Sequence, residues 1–366
     1  MSVLKKYKEK GLLQLKKKDD LVLTCYTKKA FYSREWDDVL TAARGHVYDE
    51  DMNVVSCPFD KIFNIGEVPE TSLSLIKDRI ANEPYTLWEK LNGHLCILFQ
   101  HKGTFINTTK GSWDHEFIEK DRGILDKHAI PGLIQNPDLV RYTFLFEIIS
   151  EYDQHMLYEE HVKRFGKNEA VLLGAIDNST GLSVSPKELV AIGKKLSVPL
   201  PFIYPSMMAT YLESLFEGKG IEGYVIQFHN DDYRVKVKTD WYVQNHFKRS
   251  MVSSNRIKKI FYECYDSESA FESIPEEYHL NYRNILSDYH SFAKEKHEDC
   301  ERAFSIIGEG CGYIDRPIID TIERSFEGHE KAVMWYIRSN RDPERIYKKW
   351  FLETYDFDNI KIDRGE

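Results

Sequence analysis

No two cysteines in this chain stand in a CxxC arrangement. Its six cysteines (Cys25, Cys57, Cys96, Cys264, Cys300 and Cys311) are scattered through mostly apolar settings. That excludes a zinc ribbon or a disulfide framework and predicts reduced core thiols. No run of eighteen apolar residues occurs, and the opening MSVLKKYKEKGLLQLKKKDD has no apolar signal-peptide core. A soluble cytoplasmic protein without membrane association is the expectation. Internal repeats and low-complexity linkers are missing too. Positive charge is not in excess: 50 Lys and Arg against 59 Asp and Glu give a formal net charge of −9. Coating nucleic acid by bulk electrostatics is therefore disfavoured, although a local basic groove is not. The histidines are dispersed, and His155 with His161 fits no zinc spacing. GEGCGY at Gly308–Tyr313 follows no strand, which argues for a connection between helices over a phosphate-cradling loop.

What is present points to folded domains. At 366 residues the chain exceeds one small core, so two domains are expected. An apolar content of 42% and an aromatic content of 13% are enough to pack both. Up to about Ser254 the texture is mixed. Short β-type runs (LVLTCYT, TFINTT, YTFLFEIIS, GYVIQFH and YRVKVKT) are separated by turn signals such as KG, DNSTG and HNDD. Helical spacing marks ETSLSLIKDRIA and SPKELVAIGKKL, the latter with Ser185 placed to cap and Pro186 at the first helical position. Beyond Ser254 the spacing turns helical throughout: NRIKKIFYECY, EEYHLNYRNILSDYHSFAKEKHEDCERAFSII, PIIDTIERSF and GHEKAVMWYIRS. The expected organisation is α+β, with a mixed domain over residues 1–254 and an all-helical domain over 255–366.

In the first domain, charged residues recur at the ends of β-type runs. ARGHVYDED carries Arg44, CPFDKIFNIGE carries Lys61 and Phe63, and WEKLNG carries Lys90. FLFEIIS carries Glu147, IEGYVI carries Glu222, and RVKVKTDWY carries Lys236 and Lys238. In RVKVK the lysines alternate with Val235 and Val237, so a strand sends both amines to one face and buries the other. A solvated edge strand with protective charges accounts for RVKVK equally well. Glu147 is harder to place blandly, because apolar residues flank it on both sides; its carboxylate belongs on a wet face or in a site. Glu222 poses the same choice. Together the set suits nucleotidyl transfer to a lysine. An amine attacks an α-phosphate only when uncharged. Neighbouring Arg44, Lys61, Lys236 and Lys238, with partial burial under Trp88 and Leu91, would favour that form. The same cations would hold a triphosphate as pyrophosphate departs, and Glu147 with Glu222 would position Mg2+ partly through water.

In order and wording, these segments resemble the phage-type ATP-dependent RNA ligases of the covalent nucleotidyltransferase superfamily. The nucleophile motif KxxG is matched by Lys90 to Gly93, the upstream arginine motif by Ala43–Gly45, and the lysine-plus-FFN-type segment by DKIFNIGE. TTKGS is similar to the family's next lysine-bearing stretch and places Lys110. FEIIS, EGYVI and KVKTDWYV resemble its third, fourth and fifth nucleotidyltransferase motifs, the last including Tyr242. A bare KxxG arises by chance in many proteins; five motifs in the family's order are specific. The resemblance runs from Arg44 to Tyr242. It implies an adenylyltransferase domain on antiparallel sheets, with Lys90 as the nucleophile. Arg44, Lys61, Lys236 and Lys238 would bind the phosphates, with Gly93, Lys110 and Tyr242 also lining the ATP site. Glu147 and Glu222 would hold Mg2+, with Mn2+ as the alternative ion. Phe63 and Tyr242 are equally explicable as core, and Glu89 stands evenly between facing the adenine and simple exposure. At Asn92 the chain departs from the acidic residue often found there, and an amide brings no charge to a metal.

The implied reaction has three steps: Lys90 takes AMP from ATP, AMP passes to an RNA 5′-phosphate, and a 3′-hydroxyl displaces AMP. The implied partner is RNA, in particular tRNA broken in its anticodon loop. No kinase or phosphodiesterase motif is visible, so a separate end-healing kinase/phosphatase would act beforehand. A monomer in the cytoplasm, the host's if phage-encoded, is expected. In the helical domain, Tyr282, Arg283, Trp335, Tyr336, Arg338, Arg341 and Lys348 are candidate RNA contacts, although packing is the favoured account of the Trp and Tyr residues. The nearest alternatives are a DNA ligase or GTP-using capping enzyme, which normally append an OB-fold where this chain turns helical. A non-catalytic RNA-binding module on the same fold is the alternative of a different class.

Overall fold

The computed structural model describes residues 2–114, 116–150, 159–243, 254–265, 268–272, 274, 279–310 and 315–356. Two units emerge, Met1–Asn245 and His246–Asp363. The first begins with α1 (Ser2–Glu9), β1 (Leu13–Lys18), β2 (Leu21–Tyr26), α2 (Lys28–Ser33) and α3 (Asp38–Ala42). There follow β3 (Arg44–Tyr48), β4 (Val54–Ser56), β5 (Phe63–Asn64) and α4 (Leu73–Asn82). Next come β6 (Tyr85–Lys90), β7 (His94–His101), β8 (Thr104–Thr108), α5 (Ile118–Leu125) and α6 (Ala129–Gln135). The unit closes with β9 (Tyr142–Ile149), α7 (Glu159–Phe165), β10 (Glu169–Asp177), α8 (Pro186–Leu196), β11 (Ile203–Tyr204), β12 (Gly223–Phe228) and β13 (Arg234–Lys238).

These strands form three sheets, in the orders β1-β2-β3-β4, β10-β9-β7-β8 and β11-β6-β12-β13-β5. Neighbours run antiparallel except β13 and β5. Strand β9 is the most apolar and runs through the middle of its sheet. Phe144, Phe146 and Ile148 face one cluster, shared with Leu125 of α5, Leu133 of α6 and Leu189, Ile192 and Leu196 of α8. Leu145 and Ile149 face the other way. Sheets of this kind bury both faces only when helices or a second sheet cover them. Local signals fix the helices. At α8 the Ser185 hydroxyl accepts from the Glu188 N–H at 3.3 Å and the Glu188 carboxylate accepts from the Ser185 N–H at 3.0 Å, a reciprocal cap with Pro186 at the first position.

Among the described residues the regular elements of the second unit are all helices: α9 (Ser254–Cys264), α10 (Glu268–Glu272), α11 (His279–Gly310), α12 (Asp315–Ser325), α13 (Gly328–Arg338) and α14 (Glu344–Thr354). The long α11 packs on α13 and α14, and Phe261, Tyr289 and Phe351 meet edge-to-face or tilted at 5.2–5.6 Å. Tyr282 is core, 1% exposed. Trp335 donates its indole N–H to Glu323 at 3.2 Å, and Lys348 lies 3.9 Å over the Tyr265 ring while pairing with Glu344 at 2.9 Å. Of GEGCGY, the first three residues finish α11; Cys311–Tyr313 lie outside the described residues, as does His155. Among the described residues no helix is long and apolar enough to cross a membrane.

Candidate active site

Lys90 is the last residue of β6, and its neighbours are set by sheet register. Gly223 of β12 pairs with Lys90 on one side and with Lys238 of β13 on the other. Directly paired residues share a face, so Lys90 and Lys238 stand on the same side about 10 Å apart, two strand spacings, with a glycine between them. Lys236 pairs with Val225, which pairs with Trp88, and joins the same face one pleat along. Val235 and Val237, which alternate with the lysines, are fully buried on the opposite face, as the pattern of RVKVK predicts. Lys238 also lies 5.6 Å from the ring centre of buried Tyr242.

Two carboxylates complete the centre. The Lys90 Nζ lies 2.5 Å from the Oε1 of Glu222, which is 3% exposed as a residue and directly precedes β12. The expectation that cations would surround the amine is thus corrected in part, because its direct partner is an acid. Glu147 of β9 is half-buried and its carboxyl is pushed up to about 7. Burial is the main cause; the Glu222 charge adds to it, while Lys90, His94 and the Gly93 N–H act against it. The turn Leu91–Gly93 brings these groups together. A Cβ at Gly93 would collide with the Ile148 carbonyl oxygen and stand 3.1 Å from Glu147 Cγ, so only glycine lets this backbone meet β9.

The remaining predicted residues fall into separate settings. Arg44 opens β3 and Lys110 lies in the turn after β8; both charges act on the Cys25 thiol, whose pKa burial raises against them and Lys16. Gly45, at φ +102°, lets these segments meet, for a Cβ there would lie 2.6 Å from Ile97 Cδ1 and 3.3 Å from Lys110 Cα. Lys61 is buried. Its Nζ pairs with Glu67 at 2.8 Å and lies 4.4–5.4 Å from the ring centres of Phe31, Trp36 and Phe63. With Arg234, Lys61 lines a cavity of about 360 Å³ whose walls carry more acids than bases: Asp37, Asp38, Asp60, Glu70, Asp231 and Asp232. An acidic lining of that kind repels a triphosphate. Glu89, far from exposed, is 4% accessible; it accepts from His161 at 3.1 Å, from the Phe202 N–H at 3.2 Å and from Arg164. Burial alone would raise its pKa, and these donors outweigh burial to lower it.

The RNA ligase family model matches residues 42–242, more than half of the chain and all of the elements that carry this centre. The chain belongs to the RNA ligase family. A protein of Thermovibrio ammonificans that carries the provisional name RNA ligase is 28% identical over 221 residues, 57% of this chain and 53% of the relative. The chain therefore spans about half the length of that curated relative. A solved structure from Aquifex aeolicus, provisionally named an ATP-dependent DNA ligase, matches with a TM-score of 0.52 at 16% identity over 93% of this chain and 88% of that one. At that identity the likeness speaks for the fold alone. An RNA ligase of Naegleria gruberi is 14% identical over 52% of this chain and 57% of that one, with a TM-score of 0.42. With the RNA ligase family established, the α+β architecture on antiparallel sheets is the expected one.

Two residues beside the centre were not among those expected from the sequence. His94, next after Gly93, bonds through Nε2 to Asp121 Oδ1 at 2.9 Å, and Asp121 is fully buried. A signal existed for the second: Asp121 stands at helical spacing with Ile118, Ile124 and Leu125, on the apolar stripe of α5. A carboxylate on such a stripe needs a partner.

Proposed function

We propose that this chain is an ATP-dependent RNA ligase that joins RNA 3′-hydroxyl and 5′-phosphate ends through a lysyl–AMP intermediate. The observation that carries the reading is the Lys90–Glu222 ion pair, with Glu147 beside it, inside the KxxG frame of a family member. In the first step the Lys90 amine, freed of its extra proton, attacks the α-phosphorus of ATP. An N–P bond forms, the bond to the bridging oxygen breaks, and pyrophosphate leaves. In the second step a 5′-phosphate oxygen of RNA takes the AMP from Lys90, giving a 5′–5′ pyrophosphate. In the third a 3′-hydroxyl oxygen attacks the RNA phosphorus and AMP departs.

An amine held against a carboxylate is a poor nucleophile, so the contact with Glu222 must be released before attack. Glu147 and Glu222 fit a divalent cation, Mg2+ or Mn2+: the Glu222 charge raises the cost of ionising Glu147, and a positive ion relieves that cost. Among the described residues no group of three ligands forms, so two carboxylates would hold the ion with water and substrate oxygens. When bound it supplies charge neutralisation on phosphate oxygens. Lys238, paired with Gly223, and Lys236 share the face of Lys90 and would bind phosphate there, with Arg44 and Lys110 reaching in from their own segments. Lys61 would reach a phosphate only after leaving Glu67. Tyr242 supports Lys238.

The substrate we assign is RNA, with tRNA broken in its anticodon loop as the leading case and an end-healing kinase/phosphatase acting first. The helical unit would recognise that RNA. Incubation with α-labelled ATP and Mg2+ tests the reading: wild type becomes covalently labelled, and Lys90→Ala does not. Labelling from ATP over GTP, and sealing of 5′-phosphorylated RNA over DNA, separate this reading from a capping enzyme and a DNA ligase. A wild-type protein that takes no label would sink it.

A further inference from the structure

Two carboxylate–histidine pairs bracket the Lys90–Gly93 turn, one on each side. Before the turn, Glu89 points away from the face that carries Lys90, by strand alternation. Its carboxylate accepts from His161 Nε2 and from Arg164 of α7, and from the Phe202 N–H beside β11. The Glu89 N–H in turn donates to the Phe202 carbonyl at 2.8 Å. After the turn, His94 bonds to Asp121 of α5. That helix is itself tied to β8: Asn107 donates to the Ile118 carbonyl at 2.9 Å and Arg122 to the Phe105 carbonyl at 2.8 Å. Both ends of the turn are therefore fastened through buried acids to elements anchored elsewhere.

We propose that Glu89 with His161, and His94 with Asp121, form a two-ended clamp that positions Lys90 and Gly93 for nucleotidyl transfer. The inference rests on the assignment of Lys90 as the nucleophile. The physical argument is the cost of these pairs: a fully buried carboxylate is expensive unless well partnered. Simple packing of the turn would be served more cheaply by apolar side chains. What the pairs supply is a fixed location. Both the Gly93 N–H to Glu147 and the Lys90 amine near Glu222 depend on where four residues of backbone sit. A misplacement of about 1 Å at a reacting group costs roughly 100-fold in rate.

The test measures the initial rate of covalent label transfer from α-labelled ATP with Mg2+, using the full chain and several ATP concentrations. His94→Ala is expected to lower the rate at saturating ATP by about 10- to 100-fold while KM for ATP stays within about threefold. His94→Gln, whose amide nitrogen reaches the Asp121 oxygen as Nε2 does, is expected to return to within about threefold of wild type. Glu89→Gln tests the other arm and is expected to lose about tenfold at saturation. If His94→Ala fails to fold, the Gln variant compared with His94→Leu decides the same question. An unchanged rate in His94→Ala, a loss confined to KM, or a Gln variant as slow as Ala or Leu would each overturn the clamp. Failure of the nucleophile assignment looks different: wild type without label, or label persisting in Lys90→Ala.

Discussion

Charged side chains are used in opposite ways by the two units. In the sheet-built unit they converge: Lys90, Glu147 and Glu222 come from three strands or strand ends and act on one another. In the helical unit several are spent within one turn of their own helix, and others, such as His329 with Glu353, tie neighbouring helices together. Lys348 pairs with Glu344 one turn away, Arg302 with Asp299, and His297 with Glu301. The aromatic residues do not divide the units in this way, for Tyr282, Tyr289 and Phe351 fill the helical core as Phe144 and Phe146 fill that of the sheets. A charge inside an apolar strand is therefore informative, since a strand offers it no neighbour of its own to pair with. On a helix the i+3 and i+4 positions supply partners, and a charge there says little.

That contrast can be broken most sharply at its two centres. Lys90→Ala or Lys90→Arg should reduce covalent labelling from α-labelled ATP to background. Tyr282→Ala should cost about 3–5 kcal/mol of stability, read by denaturant unfolding, and leave labelling per folded molecule intact. Loss of labelling in the Tyr282 variant would erase the division between the units. Next in size is Gly93→Ala, where the added Cβ meets the Ile148 carbonyl; a fall of about 100-fold in labelling rate is expected. Removing the segment after Ser254 should depress RNA sealing about tenfold more than labelling, in line with contacts that supply binding and not chemistry. Equal losses would make the helical unit a structural support.

The last effect is one on stability, and its sign is fixed. The Glu147 carboxyl is raised from 4.5 to about 7 in the folded chain. Between those values the folded state holds more protons than the unfolded one, so stability falls as pH rises through that window. Above pH 7 the full cost, about 3 kcal/mol, is present. Glu147→Gln carries no such charge. It should melt higher than wild type at pH 8 without metal, the gap closing towards pH 4 and on adding Mg2+ to wild type. The same variant should lose the metal-dependent steps, which ties the stability cost to the centre.

Much of the fold was legible because its causes are local. The runs LVLTCYT, TFINTT, YTFLFEIIS, GYVIQFH and YRVKVKT all contain strands, and Ser185 caps α8. The same holds for the face of Lys236 and Lys238. Less legible was the sharing out of the cations. Lys61 matched a phosphate-binding motif, and the fold turns it into an aromatic cage beside Glu67. Glu89 gave no hint of its burial, since His161 and Arg164 reach it from a helix far along the chain.

By itself the sequence determined which residues alternate, which helices are capped and which motifs follow one another, since each depends on a period of two or on a few adjacent bonds. Only the tertiary structure decided that Lys90 meets Glu222, that Glu147 shares their field and that His94 finds Asp121. Those partners are set by strand order and register, and a shift of one residue would send each side chain to the opposite face.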